Sequence, residues 1–279
     1  MKKRLTYLLF FCAFICNQSV AQLIKADTVI SKNLFKFEQL IPGDYSYMNV
    51  DMFGNIYLIT KSNQLKKINS KGESTALFND VIKYGNPSSI DVSNPLKILV
   101  FYKSYSTIVT LDRLLTYRNS INLRSHQFFN VNTIAASYDN NIWLFDEQDF
   151  KIKKIDESAT LINESADLRM LVDEVPAPSE LLENNNQLFL YDSKKGFFVF
   201  DYYGAYKNLI PLLNWKNIAI GHNLIYGFAG AVLYSYELNS LSLNEYHLPE
   251  FVKEYKSIKA INNKLYLLKK DGVEIYTIE

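Results

Sequence analysis

The residue types that most often carry out catalysis are few in this sequence, and their spacing does not bring them together. Its three histidines are His126, His222 and His247, and none stands at metal-ligand spacing from another. His222 takes a turn position where the related segments of the chain have asparagine, which indicates a solvent-facing residue. The two cysteines, Cys12 and Cys16, both precede residue 22. The sequence therefore predicts no catalytic residue, no metal site and no cofactor.

Two groups of charged residues need a separate interpretation. Asp146, Glu147 and Asp149 stand close together, but the segment lacks the glycine and the ligand order of a calcium loop. We interpret it as a hairpin loop. Lysine pairs recur without the glycine-rich loop that binds phosphate ahead of a helix, so we interpret them as solvated hairpins. These pairs are Lys66-Lys67, Lys153-Lys154, Lys194-Lys195 and Lys269-Lys270.

Aromatic residues in predicted turns are the stronger candidates for a binding surface. Tyrosine is favoured at interfaces because its ring supplies contact area while its hydroxyl tolerates water. Packing against a neighbouring part of the fold is the alternative for the same residues. A histidine in the long connection after residue 121 is a further candidate, since it could line the mouth of a ring. The candidate interface residues are Tyr102, Tyr105, His126, Phe128, Tyr202, Tyr203 and Tyr206.

The N-terminus has the pattern of a secretory signal peptide. Positive residues at 2–4 precede a short apolar run that ends in Ser19-Val20-Ala21, a small-x-small cleavage pattern. We therefore predict a signal peptide over residues 1–21 and an exported mature chain over residues 22–279. A retained anchor and a lipidated Cys16 are the alternatives.

Charge excludes some partners. Removing the three positive charges of the leader lowers the formal net charge from +1 to −2. No basic field remains to attract nucleic acid or an anionic membrane surface. No other apolar stretch is long enough to cross a bilayer, and no linker divides residues 22–279, so we expect a single domain.

The elements that would position the turns form an internal repeat. An Asn/Asp turn followed by an apolar, aromatic strand recurs about every forty residues, which is typical of propeller blades. Six such strands predict six blades of four strands, with a short helix over residues 166–174 between the third and fourth blades. The strands begin at Ile56, Ile98, Ile142, Leu188, Leu224 and Leu265.

The last repeat contains one strand too few. The segment Leu34–Glu38 can supply it by pairing beside Val273–Ile278, which would close the ring and remove two open sheet edges. We therefore predict an all-β fold, a closed six-bladed β-propeller. A seven-bladed ring and an open β-solenoid are the alternatives.

Several runs of the chain resemble a known family. The segments 94–103, 137–147 and 200–205 look like a signature of secreted, largely uncharacterised propeller proteins of the Bacteroidota, and the blades are similar to NHL-type and TolB-like blades. The resemblance covers most of residues 80–250. It implies a periplasmic or outer-membrane-associated protein and brings no catalytic residues with it. It further implies association with outer-membrane machinery, such as the type IX translocon or the assembly apparatus.

Three functions follow as hypotheses. The first is a non-catalytic propeller that contacts or scaffolds an envelope protein. The second is a propeller that binds carbohydrate or a peptidoglycan fragment at the axial mouth of the ring. The third is a propeller hydrolase or lyase, which the scarcity of candidate catalytic residues disfavours.

Overall fold

The strands of this chain form six sheets arranged as a ring. The computed structural model describes residues 26–29, 35–221, 223–252 and 254–278, with only the backbone described for residues 26–29. Every sheet contains four antiparallel strands in the order first, second, third and fourth from the axis outward, and one sheet has a fifth strand on its outer edge. The first strands of neighbouring sheets contact one another. The predicted six-bladed propeller is therefore confirmed.

The first three blades follow one another along the chain. Blade 1 contains Tyr45–Val50, Ile56–Thr60, Leu65–Ile68 and Ser74–Phe78. Blade 2 contains Ser89–Asp91, Lys97–Tyr102, Thr107–Asp112 and Tyr117–Asn122, preceded by the single-turn helix Val81–Tyr84. Blade 3 contains Val131–Ala136, Ile142–Asp146, Lys151–Ile155 and Leu161–Glu164.

The remaining blades use both ends of the chain. Blade 4 contains Glu180–Asn184, Gln187–Asp192, Gly196–Asp201 and Tyr206–Ile210. Blade 5 contains Lys216–Gly221, Leu224–Ala229, Val232–Glu237 and Ser242–His247. Blade 6 contains Ser257–Ile261, Lys264–Leu268, Gly272–Ile278 and, as its outermost strand, Phe35–Pro42.

Burial explains why the second strands are almost entirely apolar. Every residue of Lys97–Tyr102 and of Ile142–Asp146 is buried, because each of these strands has a neighbouring blade on both faces. Trp143, Tyr57 and Phe101 are among the largest fully buried side chains. Aromatic rings of this size fill the wedges between twisted sheets.

The ring is closed by the two ends of the described chain. Phe35–Pro42 pairs antiparallel with Gly272–Ile278, in a register that runs from Phe35 opposite Ile278 to Pro42 opposite Gly272. The predicted closure is therefore confirmed, and the pairing strand is longer than the segment expected from the sequence. One further strand was not predicted: Ala26–Val29 pairs parallel with Ser242–His247 on the outer edge of blade 5.

The turns define two faces of the ring. The upper face carries the turns that join first to second strands and third to fourth strands. The lower face carries the turns between second and third strands and the connections between blades. Many upper-face turns contain an asparagine with a positive φ, such as Asn140 at 65° and Asn263 at 57°, which explains the Asn/Asp signature of the repeat.

Some sequence predictions were wrong or incomplete. The helix expected over residues 166–174 is only the 3₁₀ turn Leu168–Met170, and the Asp167 side chain accepts a hydrogen bond from Arg169 N at its start. Only three strands could be located from the sequence in each of blades 4 and 5, so their fourth strands, Tyr206–Ile210 and Ser242–His247, were missed. Strand Tyr206–Ile210 has three consecutive exposed residues, because an outermost strand borders solvent and lacks the apolar pattern of the inner strands.

Several expectations concern residues outside the described part of the chain. They are the signal peptide over residues 1–21 with its two cysteines, the turn role of His222, and Leu34 of the closing segment. No helix among the described residues is long and apolar enough to span a bilayer.

The closing strand gives a first test. Ile41 is buried beside Val273 and Ile275, whereas Leu40 on the same strand is about half exposed. We expect Ile41→Ala to lower the free energy of unfolding by about 2 to 4 kcal/mol through the cavity it leaves. The control, Leu40→Ala, should cost less than about 1 kcal/mol. Equal losses in chemical denaturation would contradict the role of this strand in closing the core.

Candidate interaction site

The structure separates the candidate interface residues by burial. Tyr102 and Phe128 are both core residues, so the expectation that they form part of a surface was wrong. Tyr102 packs against Tyr84 with 5.2 Å between ring centroids, and Phe128 lies in the cluster shared by blades 2 and 3. Tyr206 is half-buried against Phe200 at the start of an outer strand.

The exposed candidates lie on opposite faces. Tyr105 and His126 belong to 3₁₀ turns on the lower face. Tyr203 and the half-buried Tyr202 lie on the upper face, in the turn between the third and fourth strands of blade 4. The predicted residues therefore do not form one surface, and an interface role for the exposed ones stays a prediction.

Tyr202 is the centre of a group of three tyrosine rings. Its ring centroid lies 4.8 Å from that of Tyr138 and 5.4 Å from that of Tyr203. Tyr138 is 61% exposed and Tyr203 is 72% exposed, so two rings flank a half-buried one. We call these three residues the tyrosine platform. Tyr138 belongs to blade 3 and was not among the sequence candidates.

A buried lysine supports the platform from below. Lys154 is fully buried, with its Nζ 3.4 Å from the centroid of the Tyr202 ring and 4.5 Å from that of Trp143. The same Nζ forms an ion pair with Asp139 at 3.0 Å, and the Tyr202 hydroxyl also donates a hydrogen bond to that carboxylate. The cation between two rings and a carboxylate fixes the orientation of Tyr202.

Glu183 of blade 4 fixes the other side of the platform. Its carboxylate accepts hydrogen bonds from the Trp143 indole, from the Ser137 hydroxyl at 2.7 Å and from the backbone N–H of Tyr138 at 2.9 Å. All three donors belong to blade 3. The platform is therefore held across the junction of two blades.

Local sequence explains why Tyr203 projects outward. The Asp201 side chain accepts hydrogen bonds from the backbone N–H groups of Tyr203 and Ala205, each at 2.9 Å, which closes the turn. Gly204 has a φ of +85°, which a side chain would strain. The same aspartate or asparagine turn occurs at Asn69 and Asp112 in blades 1 and 2.

The pKa shifts of Asp139 and Tyr202 agree with this geometry. Burial by itself would raise the pKa of Asp139, but hydrogen bonds from Tyr202, Lys154 and Asn141 outweigh it and hold that pKa well below its usual value. Burial and the bond to Asp139 raise the pKa of Tyr202, so its hydroxyl stays protonated and donates.

Two of the four lysine pairs, Lys66-Lys67 and Lys153-Lys154, were interpreted incorrectly as solvated hairpins, whereas Lys194-Lys195 and Lys269-Lys270 do lie in turns between second and third strands. Lys67, Lys153 and Lys154 are buried, and each lies in a third strand. Lys153 binds Asp146 at 2.9 Å and Asp149 at 2.6 Å, so these carboxylates are structural partners of a buried lysine. The available signal was a lysine directly opposite an aromatic residue of the second strand, as Lys154 is opposite Trp143.

Lysines also join neighbouring blades near the upper face. Lys67 donates to the carbonyl of Arg113 in blade 2 at 2.8 Å. Lys97 forms an ion pair with Glu157 of blade 3 at 2.7 Å, and Lys154 contacts Tyr202 of blade 4. We call these three contacts lysine latches. Each one reaches a turn between third and fourth strands of the next blade.

A second polar cluster lies on the inner strands. The first strand of blade 5 contains a β-bulge, where Asn217 has a φ of +53°. The bulge leaves the backbone of Ile218 without a partner in the pairing with the second strand. Lys259 donates to the Ile218 carbonyl at 2.5 Å, and the Ile218 N–H is close enough to Glu180 to act on its pKa. Asp91 lies near enough to Lys259 to act on its charge. Glu180 and Lys259 therefore both lie at the bulged backbone.

Burial disfavours the charged forms of both Glu180 and Lys259. It raises the pKa of Glu180 against the opposing effects of Lys259 and the Ile218 N–H, and it lowers the pKa of Lys259 against the effect of Glu180 and Asp91. Within the described ranges, no three His, Cys, Asp or Glu side chains come together as a set able to hold a metal ion.

Sequence comparison and structural comparison give different results. No protein-family profile matches this sequence, and no curated protein matches it. Membership of the Bacteroidota family therefore stays a prediction. Solved structures, in contrast, match over most of the chain.

Three solved structures illustrate the likeness. The WD40 domain of Pan2 from Neurospora crassa is 9% identical, with a TM-score of 0.59, over 85% of this chain and 89% of that chain. A catalytically inactive virginiamycin B lyase from Staphylococcus aureus, in complex with quinupristin, is 16% identical, with a TM-score of 0.56, over 88% and 89%. The extracellular domain of the hybrid two-component system BT3049 from B. thetaiotaomicron is 12% identical, with a TM-score of 0.53, over 82% and 33%. At these identities the likeness shows the propeller fold alone.

The support below the platform can be tested by removing its cation. We expect Lys154→Met to lower the free energy of unfolding by about 2 to 4 kcal/mol, because Asp139 loses its ion pair while remaining partly buried. Lys207→Met, which removes the exposed ion pair with Asp201, is the control and should cost under about 1 kcal/mol. Similar losses in denaturant titrations would refute a special role for Lys154.

The Glu180 shift predicts a pH dependence of stability. A carboxyl group whose folded pKa is raised contributes stability below its unfolded pKa, and this contribution is lost as pH rises through the folded pKa. Glu180→Gln should therefore gain stability relative to wild type as pH rises above the usual value of 4.5. Denaturation at a series of pH values measures this difference. A constant difference across the series would show that burial does not oppose ionisation of Glu180.

Proposed function

We propose that this protein is a non-catalytic recognition module of the bacterial envelope that binds a protein partner through its upper face. The tyrosine platform is the observation that carries this proposal. It presents two exposed rings and one half-buried ring in fixed positions. Side chains that are already ordered lose little conformational entropy on binding, which favours affinity.

The chemistry of the platform fits a protein interface. Tyrosine is enriched among the residues that dominate binding energy, and such residues cluster in well-packed surroundings. The rings of Tyr138 and Tyr203 offer contact area, while the ion pair of Lys154 with Asp139 is internal and needs no counterpart on a partner. A partner would therefore contact mainly aromatic surface.

The upper face also exposes apolar residues beyond the platform. Phe53 is 66% exposed and Leu96 is 68% exposed, and both lie in turns between first and second strands. Their spread over blades 1 to 4 suits a macromolecule better than a small ligand. The lower face exposes apolar residues as well, among them Ile82 and Met170, but on connections between blades rather than on short capped turns.

The proposed compartment and the proposed partner are both inferred from the sequence. The leader pattern supports export, and the family resemblance supports a partner in outer-membrane machinery, such as a secretion translocon of type IX or an assembly apparatus. We infer an envelope protein as the partner. The low net charge supports a contact that does not depend on a charged surface.

Carbohydrate is the second candidate ligand. The rim of the upper face exposes uncharged amides at Asn140, Asn185 and Asn262, and tyrosine rings next to amides can stack on sugars and bind their hydroxyls. A peptidoglycan fragment or a neutral glycan would use the same platform. Its binding would appear as a thermal shift that Tyr203→Ala abolishes.

The protein-partner proposal is tested by photo-crosslinking in the native host. Tyr138, Tyr203 and Tyr105 are replaced one at a time by p-benzoylphenylalanine. Tyr105 is the matched control, because it is 55% exposed on the opposite face. We expect positions 138 and 203 to capture the same protein and position 105 not to capture it. The captured protein is then titrated against purified variants.

In that titration Tyr203→Ala and Tyr138→Ala should each weaken binding about 30-fold, the effect of losing a dominant interface residue. Tyr105→Ala should leave the affinity unchanged. No adduct at positions 138 and 203, or the same adduct at all three positions, would overturn the proposal.

A further inference from the structure

A cavity of about 390 Å³ lies on the lower face at the junction of blades 5 and 6. The connection after His247 forms one wall and the start of strand Lys216–Gly221 forms another. The third side is the turn at Gly230 and Ala231. Its volume is within the range of small-molecule sites. It is on the face opposite the tyrosine platform, so it is independent of the proposed function.

Hydrogen-bond donors dominate the polar part of the lining. Lys216 is exposed, and its ammonium group makes no hydrogen bond or ion pair with the residues that the structure describes. Tyr255 contributes a hydroxyl whose pKa is raised by burial, which keeps it protonated. Asn217 has its carbonyl oxygen occupied by the Ser257 hydroxyl at 3.0 Å, which leaves its N–H groups as donors.

A second lysine is already held in place. Lys256 donates to Asp44 at 3.1 Å and to the carbonyl of Tyr45 at 3.0 Å, and an ammonium group has three N–H bonds. One donor therefore remains on a side chain whose position is fixed by blade 1. Among the described residues that line the cavity there is no carboxylate. Asp44 neutralises Lys256 through an ion pair at 3.1 Å, so Lys216 is the lysine of the lining that has no counter-ion among the described residues.

The remaining wall is apolar. It consists of Leu248, Pro249 and Val252, and Leu248 and Val252 are buried in the blade 6 core cluster. A ligand that fills this cavity must place a negative group toward the lysines and an apolar body toward this wall. Neither a bare inorganic anion nor a neutral hydrocarbon would satisfy both parts.

We propose that this cavity binds a small organic anion, a carboxylate carried on an apolar body. The carboxylate pairs with Lys216 and accepts the remaining hydrogen bond of Lys256, and the body packs on Pro249 and the ring of Tyr255, which are half-buried. Charge-assisted hydrogen bonds supply orientation, and burial of the apolar body adds affinity.

Calorimetric titration with three probes tests the proposal. Octanoate has both the carboxylate and the apolar body, 1-octanol lacks the charge, and acetate lacks the body. We expect octanoate to bind at least about tenfold more tightly than either of the others, since one charge-assisted hydrogen bond to the ligand is worth roughly that factor. Equal binding of octanoate and 1-octanol, or no binding of octanoate, would overturn it.

Variants locate the binding. Lys216→Met should weaken octanoate binding about tenfold without changing the melting temperature, because the Lys216 ammonium group makes no hydrogen bond or ion pair with the described residues. Lys194→Met, an exposed lysine on the same face in blade 4, is the matched control and should change nothing. Ala231→Phe should abolish binding by filling the cavity. Unchanged octanoate affinity in Lys216→Met or Ala231→Phe would place binding elsewhere and refute the assignment.

Discussion

The fold depends on one set of backbone hydrogen bonds, those between Phe35–Pro42 and Gly272–Ile278. Each blade covers its apolar faces only with its two neighbours, so an open ring would expose the faces of its first and last blades. The pairing joins residues near the two ends of the chain and gives blade 6 its fourth strand. Blade 1 then packs against blade 6, with Met48 and Tyr266 in one cluster. The tyrosine platform and the cavity each lie at a junction between blades, so both depend on the closed ring.

Within that frame, polar contacts set the position of one blade relative to the next. Glu183 accepts three donors from blade 3, and Lys154 places a cation under a ring of blade 4. A misplaced blade would leave buried charges without partners, which costs far more than a loosened apolar contact. The same contacts that specify the junction also hold the tyrosine platform. The buried contacts between blades 3 and 4 therefore fix the position of the exposed tyrosine platform.

Sequence periodicity was sufficient to predict the number of blades, the inner strands and the closing strand. An inner strand has apolar neighbours on both faces, so its sequence is a continuous apolar run that is easily recognised. The outer strand Tyr206–Ile210 was missed, since solvent on one side leaves no such pattern. Two of the three platform residues, Tyr202 and Tyr203, were among the sequence candidates. The turn at Asp201 pointed to Tyr203, but the proximity of Tyr138 depends on two repeats meeting in space. Burial was underestimated in two places: Tyr102 was taken as exposed and Lys154 as solvated, and both are buried.

The lysine latches are distributed unevenly, and this asymmetry relates the two surfaces. They join blades 1 to 2, 2 to 3 and 3 to 4. The junction of blades 5 and 6 is linked instead on its inner strands, where Lys259 binds Ile218 and Ser257 binds Asn217. Two cavities lie at that junction, one of about 390 Å³ on the lower face and one of about 170 Å³ between the inner strands. The latches tie the turns of blades 1 to 4 to one another, which suits a fixed surface for a partner, whereas the junction of blades 5 and 6 has room for a pocket.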